Sequence, residues 1–194
     1  MPQATTTKSA RREEILSTAV SLFAERGYGA TSIDEIGQAV GISGPALYWH
    51  FEGKESMLAE SLAKISAALL ENGMRCVAEG KGGEDTLAKL IAGHVDFALT
   101  RPELITLQER DLVHVEEAAQ REIRRSQRRY VELWTDCILE FAPKADRKSI
   151  RDAVHATFGL INSTPHLTAA NAASAALLKR LAMASLLEAT RIGV

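Results

Sequence analysis

Apolar residues recur at intervals of three and four along most of the chain, a periodicity that predicts helices rather than strands. Ile15, Leu16, Ala19, Val20, Leu22 and Phe23 form the first stripe, and Arg26 and Gly27 close it with a basic last turn and a stop residue. Ser32 and Glu35 are spaced as a capping box for a second helix bearing Ile33, Ile36 and Val40. Gly41 ends that helix, where a residue without Cβ takes positive φ cheaply. Ser43 suits the cap of a third helix and Pro45 its first turn, with Leu47 and Phe51 on the inward face. By that phase Gly44, Tyr48 and Trp49 project outward.

A long fourth helix begins at Lys54 with Met57, Leu58, Leu62, Ile65 and Leu69 on one stripe, and ends at Glu79 before a glycine-rich loop. The fifth carries Leu87, Leu90, Ile91, His94, Val95 and Ala98; a short sixth covers about residues 103–111. The seventh has its stripe from Val115 through Tyr130 and Trp134 to Phe141. Asp146 caps an eighth that runs to Ile161 and is ended by Pro165. The last helix, from about Thr168 to Thr190, is alanine-rich and apolar on several sides, so more than one neighbour must cover it. A second copy of the chain is the expected cover. The predicted fold class is all-α with about nine helices. A helix-turn-helix domain over residues 1–53, its first eight residues a flexible arm, precedes a helical domain over 54–194.

Composition supports this without adding much: the chain has 194 residues, 46% hydrophobic, and aromatics reach only 5%. No apolar run approaches the ~20 residues of a membrane span, and the first residues, MPQATTTKSARREE, contain no signal-peptide core. A cytoplasmic protein without membrane contact is expected. Cys76 and Cys137 sit in apolar helical patterns and read as packed free thiols. The net charge of −2 carries no signature of nucleic acid. Within residues 1–54, Lys8, Arg11, Arg12, Arg26 and Lys54 face six acids, so any claim on DNA rests on placement of groups.

That placement centres on SGPALYWHFEGK, residues 43–54, where Tyr48, Trp49 and His50 stand consecutively and cannot all face a core. A phenol can donate to phosphate, and an indole can meet a sugar or a thymine methyl. The stretch TSIDEIGQAVGISGPALYWHFEGKESML, with ILSTAVSLFAERGYGATS before it, resembles the N-terminal domain of TetR-family transcriptional regulators over about residues 10–60. The resemblance implies a homodimer, joined through the last two helices, that binds a palindromic double-stranded DNA operator. It further implies phosphate contacts from Thr31 and Tyr48, with His50 and Lys54 as further candidates. Ser43 would cap the recognition helix and touch the backbone, while Pro45 and Trp49 would face the groove. Gly44 stands where members often carry a base-reading side chain. Lys8, Arg11 and Arg12 are either groove or phosphate contacts from the arm or simply solvated.

The resemblance also places an effector pocket among the fifth, seventh and eighth helices, where His94, Phe97, Tyr130, Trp134, Phe158 and Asn162 lie. Ordinary core packing is the competing reading for each. The apolar helices suggest a small hydrophobic effector, either acyl-chain or aromatic. The implied function is a repressor released by that effector; the alternative is a helical small-molecule-binding protein that ignores DNA or activates. An enzyme finds no support. The five histidines lack metal-ligand spacing, no serine lies in a nucleophile elbow, and neither metal nor cofactor is expected. Glu116 and Glu117 with Arg121, Arg124 and Arg125 read as a solvated i,i+4 face; Arg121, Arg125 or Arg128 meeting an anionic ligand is the other reading.

Overall fold

A computed structural model describes residues 3–191, with side chains from Ser9 on. The described residues form nine α-helices, two 3-10 turns and no strand. The helices are α1 (Gln3–Arg26), α2 (Ile33–Ala39), α3 (Gly44–Leu47), α4 (Lys54–Glu79), α5 (Gly83–Thr100), α6 (Pro102–Arg110), α7 (Glu117–Phe141), α8 (Arg147–Ile161) and α9 (Ala172–Ala189). None of these is long and apolar enough to cross a membrane.

The chain divides into two compact units. The first runs through Ile65 and takes in Thr106–Ile123; the second takes in Ser66–Ile105 and the chain from Arg124 on. The first unit thus extends beyond residue 53, because the opening turns of α4 bury Met57, Leu58 and Leu62 in its core. Ile15, Ala19 and Phe23 of α1, Ile36 of α2, and Leu47 and Phe51 complete that core. Helix α1 begins at Gln3, where a flexible arm was expected; Met1, Pro2 and the side chain of Lys8 lie outside the described residues. QATTTKSARREE contains neither Gly nor Pro, so nothing in it stops the helix that follows from extending backwards to Gln3.

In the second unit α5, α8 and α9 pack on one another. Leu90, Ile91 and Val95 meet a core to which Ile150, Val154, Ile161, Leu178, Ala182 and Leu186 also belong. Thr157 and Ser185 share a 3.0 Å hydrogen bond between α8 and α9, and Thr164 donates to the Ala98 carbonyl at 2.8 Å. Helix α9 starts at Ala172 rather than near Thr168, because the Asn171 side chain accepts from the N–H groups of Ala173 and Ser174. Four apolar residues of α9, Ala173, Leu177, Leu181 and Ala184, remain exposed on one stripe.

Candidate nucleic-acid interface

Local devices fix the start of α2 and the corner that joins it to α3. Ser32 and Glu35 form the expected capping box, each side chain bonded to the other's backbone N–H. Gly41 takes φ +71°, and Gly37 lets the turn come close: a Cβ there would sit 2.8 Å from the Ile42 carbonyl oxygen. Ser43 caps α3 by accepting from the Ala46 N–H at 3.4 Å. The third helix is one turn long, shorter than the pattern suggested. Beyond Leu47 the chain tightens, with Trp49 N–H bonding to Ala46 and His50 N–H to Leu47, which brings it to the start of α4.

Leu47 and Phe51 are buried, whereas Tyr48 is 59% and Trp49 85% exposed. Ser43 and Pro45 are exposed beside them, and His50 is half-buried with Nδ1 unpartnered. Gly44 corrects the helical phase read from the sequence. It lies three residues before Leu47, hence on the same inward face, and is buried. A Cβ at Gly44 would fall 2.0 Å from Asp34 Oδ1, so the carboxylate of α2 occupies the space of a side chain at this position.

Two of the polar groups expected at phosphates, Thr31 and Lys54, are turned inward, and so are the arginines of α1. Thr31 is buried and its hydroxyl donates to the Gly27 carbonyl at 2.9 Å. Lys54 Nζ donates to the carbonyls of Tyr28 and Thr31 at 2.9 and 3.0 Å, and lies 4.5 Å from the Tyr28 ring centre. Arg11 bonds to Glu14 and the Val40 carbonyl, and Arg12 grips both carboxylate oxygens of Glu60 while lying over Phe51. Glu60 is accordingly held below the usual carboxylate range, chiefly by its bonds from Arg12. The exposed tip is therefore two hydroxyls with a proline and an indole, and carries little formal charge.

Tyr28 and Arg110 escaped the sequence reading. Tyr28 stacks on His114, ring centres 4.9 Å apart, while Arg110 donates to the Phe23 carbonyl at 2.7 Å and pairs with buried Asp111. Together they tie the end of α1 and the residues after it to the last turn of α6 and the 3-10 turn that follows. A ring flanked by Gly27 and Gly29 was the available signal for Tyr28; Arg110 gave none.

Of the six residues expected around an effector, five converge in the second unit. His94 is buried, with Nδ1 3.3 Å from the Tyr130 hydroxyl and Nε2 3.1 Å from Asn162 Oδ1. With that oxygen as acceptor, Nε2 carries the proton and Nδ1 accepts from the phenol. Phe158 stacks on His94 at 4.6 Å and Trp134 meets Phe158 edge-on at 5.0 Å. Burial pushes the His94 imidazole down to about 4, the Asn162 bond opposing it, and pushes the Tyr130 phenol up. Trp134 Nε1 is buried without a hydrogen-bond partner among the described residues. These rings fill one another's space. Phe97 stands apart, lining a shallow groove with Asn72 and Thr100.

A one-turn α3 set against α2 across a tight glycine corner, with rings on its outer side, defines a helix-turn-helix protein with an all-helical remainder. Residues 15–61 match the model of bacterial regulatory proteins of the tetR family, and residues 80–166 match the tetracyclin repressor-like C-terminal domain. The chain belongs to the TetR family. Over 87 residues it is 42% identical to the HTH-type transcriptional repressor KstR2 of Rhodococcus jostii, covering 45% of this chain and 43% of that repressor. The match thus spans less than half of that curated relative's length. A TetR-family regulator from Bordetella parapertussis superposes with TM-score 0.83 at 22% identity, over 91% of this chain and 94% of that one. The ketosteroid transcriptional regulator KstR2 of Mycobacterium tuberculosis does so with TM-score 0.77 at 20% identity, over 93% of both chains.

Proposed function

We propose that the chain is a homodimeric transcriptional repressor that binds a palindromic double-stranded DNA operator and releases it when a small hydrophobic effector binds. Residues 1–53 are the DNA-reading part and residues 54–194 the effector-binding and dimerising part. The observation that carries the reading is the exposure of Tyr48 and Trp49 on a corner whose other side is closed by Leu47 and Phe51. A large exposed indole beside a phenol has no role in holding the fold, and both side chains suit a groove edge. Ser43 and Pro45 flank them, and half-buried His50 follows Trp49 in the chain. Gly44, Thr31 and Lys54 act in this reading by fixing the corner's shape.

Repression is the activity named for the Rhodococcus relative. The exposed α9 stripe of Leu177 and Leu181, with Ala156 and Gly159 exposed on α8, supports a dimer seam along the last two helices. Such a dimer sets two α3 helices about 34–36 Å apart, one turn of DNA. An effector that acts at the His94 cluster must part Phe158 from His94 and bind the parted state better, since equal affinity for both states shifts nothing. Helices α4, α6 and α7 each belong to both units and are the covalent routes for that change. The cytoplasm, where the chromosome lies, is the compartment this function requires.

The engagement of Arg11, Arg12 and Lys54 within the chain favours a rival, a helical binder blind to DNA. A footprint on DNA adjoining the protein's own gene decides between them. Protection of a palindrome that Trp49→Ala abolishes supports the repressor; no protection at low salt supports the rival.

A further inference from the structure

Arg125, Arg128, Arg129, Leu133 and Cys137 recur at three- and four-residue spacing and share one face of α7. That face lines a groove of about 700 Å³, walled on its other side by Leu70, Met74 and Val77 of α4. The volume lies within the roughly 300–1,000 Å³ typical of small-molecule sites. Met74 is 51% and Val77 40% exposed, so large apolar side chains border the open groove. None of His94, Phe97, Tyr130, Trp134, Phe158 and Asn162 lines it.

The charges around the groove are unequally matched. Glu132 receives Arg147 and Arg151, each at 2.7 Å, and Asp136 receives Arg147 at 2.6 Å. The rim's central acids are thus neutralised from α8. Arg128 and Arg129 are exposed, adjacent, and have no ion pair among the described residues. Glu140 stands at the far end of the groove. One end of an apolar trough is therefore cationic and the other is not. Arg129 and Cys137 are ~12 Å apart along the helix at ~1.5 Å per residue, a distance that an extended alkyl chain bridges and a small carboxylate does not. Cys137 belongs to the apolar floor, since burial pushes its thiol up to about 11 and keeps it protonated.

We infer that this groove binds an amphiphile with an anionic head and a medium-length alkyl tail, the head on Arg128 and Arg129 and the tail between Met74 and Leu133. Charge-assisted hydrogen bonds from two guanidinium groups hold the head, and burial of the tail against Leu70, Val77 and Cys137 supplies the remainder. The inference rests on the effector-responsive reading for its biological sense. It is tested without DNA, so its failure and that of the operator reading are separately visible.

The test is a fluorescence titration of the full chain with dansylaminoundecanoate, followed by displacement with dodecanoate or with uncharged dodecanol. Saturable binding is expected, with dodecanoate displacing the probe at lower concentration than dodecanol. Arg128→Gln with Arg129→Gln raises the Kd for dodecanoate by about tenfold or more, leaves dodecanol unchanged, and is rescued in large part by the paired Lys variants. Met74→Asp weakens both ligands. Both side chains and Met74 are exposed, so an unchanged circular dichroism spectrum and urea midpoint verify that the variants fold. The inference is overturned if the Gln variants titrate like the parent, or if only Phe158→Ala abolishes binding and so locates the ligand at the His94 cluster. It is equally overturned if the chain self-associates through the groove, seen as a mass increase with concentration that Met74→Asp removes.

Discussion

Tyr48, Trp49, His50 and Phe51 in one unit, and His94, Tyr130, Trp134 and Phe158 in the other, are the same four side-chain types in opposite circumstances. The first set is consecutive on barely more than one helical turn, so the rings fan out and only Phe51 is fully buried. The second set comes from three helices, with Tyr130 and Trp134 four apart on α7, so the rings converge and leave Phe158 alone partly exposed. Their polar atoms follow suit. The buried histidine uses both nitrogens inside the protein, whereas the exposed tyrosine and tryptophan are left to water or to a partner. Spacing, rather than residue type, separates the buried cluster from the exposed one.

The sharpest way to break this contrast is to remove one indole from each set. Trp134→Ala empties a fully buried site and is expected to cost ~3–5 kcal/mol, read as a lowered urea midpoint by circular dichroism. A loss no greater than that of a surface substitution would mean the cluster is loosely packed and open to ligand in the resting protein. The next largest effect concerns pH. The His94 imidazole titrates near 6.5 when unfolded and at about 4 in the folded chain. Stability is therefore full above pH 6.5 and falls as acid protonates the unfolded form first, through the window between those values. Over that window the loss is roughly 3 kcal/mol at ~1.4 kcal/mol per unit. His94→Gln should flatten that limb of the stability profile; an identical acid slope in the variant would assign it to other groups.

The contrast also shows what the sequence could carry. Helical period, the Ser32 box, the Gly41 stop and the Asp146 cap are local, and each appears where the pattern predicted it. The exposed pair in LYWHF was legible because Leu47 and Phe51 fix the phase around it. Gly44 was misread because a residue without a side chain gives no phase of its own; its spacing from Leu47 held the answer. Thr31, Lys54, Arg11 and Arg12 were beyond reach for a different reason. Their partners are carbonyls or acids 4–48 residues away for the bonds that matter, and a backbone carbonyl has no sequence identity to search for. Tyr28 and Arg110 brace α1 across longer separations still.

Lys54 sharpens the comparison at intermediate size, because it could belong to either category. Its ammonium holds two carbonyls of the α1–α2 loop, so Lys54→Ala is expected to destabilise the first unit by ~1–3 kcal/mol, the usual worth of charge-assisted bonds. A residue that met only phosphate would leave the urea midpoint unchanged and weaken DNA binding alone. Unchanged stability in Lys54→Ala would thus return this side chain to the interface and contradict the inward placement.

Trp49→Ala carries the smallest expected effect on stability and tests the other half of the comparison. With 85% of the side chain already exposed, its removal changes little buried area and should move stability by no more than ~0.5 kcal/mol, as for surface substitutions generally. Operator affinity, measured by fluorescence anisotropy with labelled duplex, should nevertheless fall by about tenfold or more, because an indole at a groove edge buries its apolar surface only in the complex. Tyr48→Phe provides the polar counterpart: it keeps the ring, removes one hydroxyl donor, and should weaken all duplexes alike if that hydroxyl meets phosphate. A Trp49→Ala protein that unfolds early would show that the ring is covered in solution by something other than DNA, and the two aromatic sets would then differ only in which chain buries them.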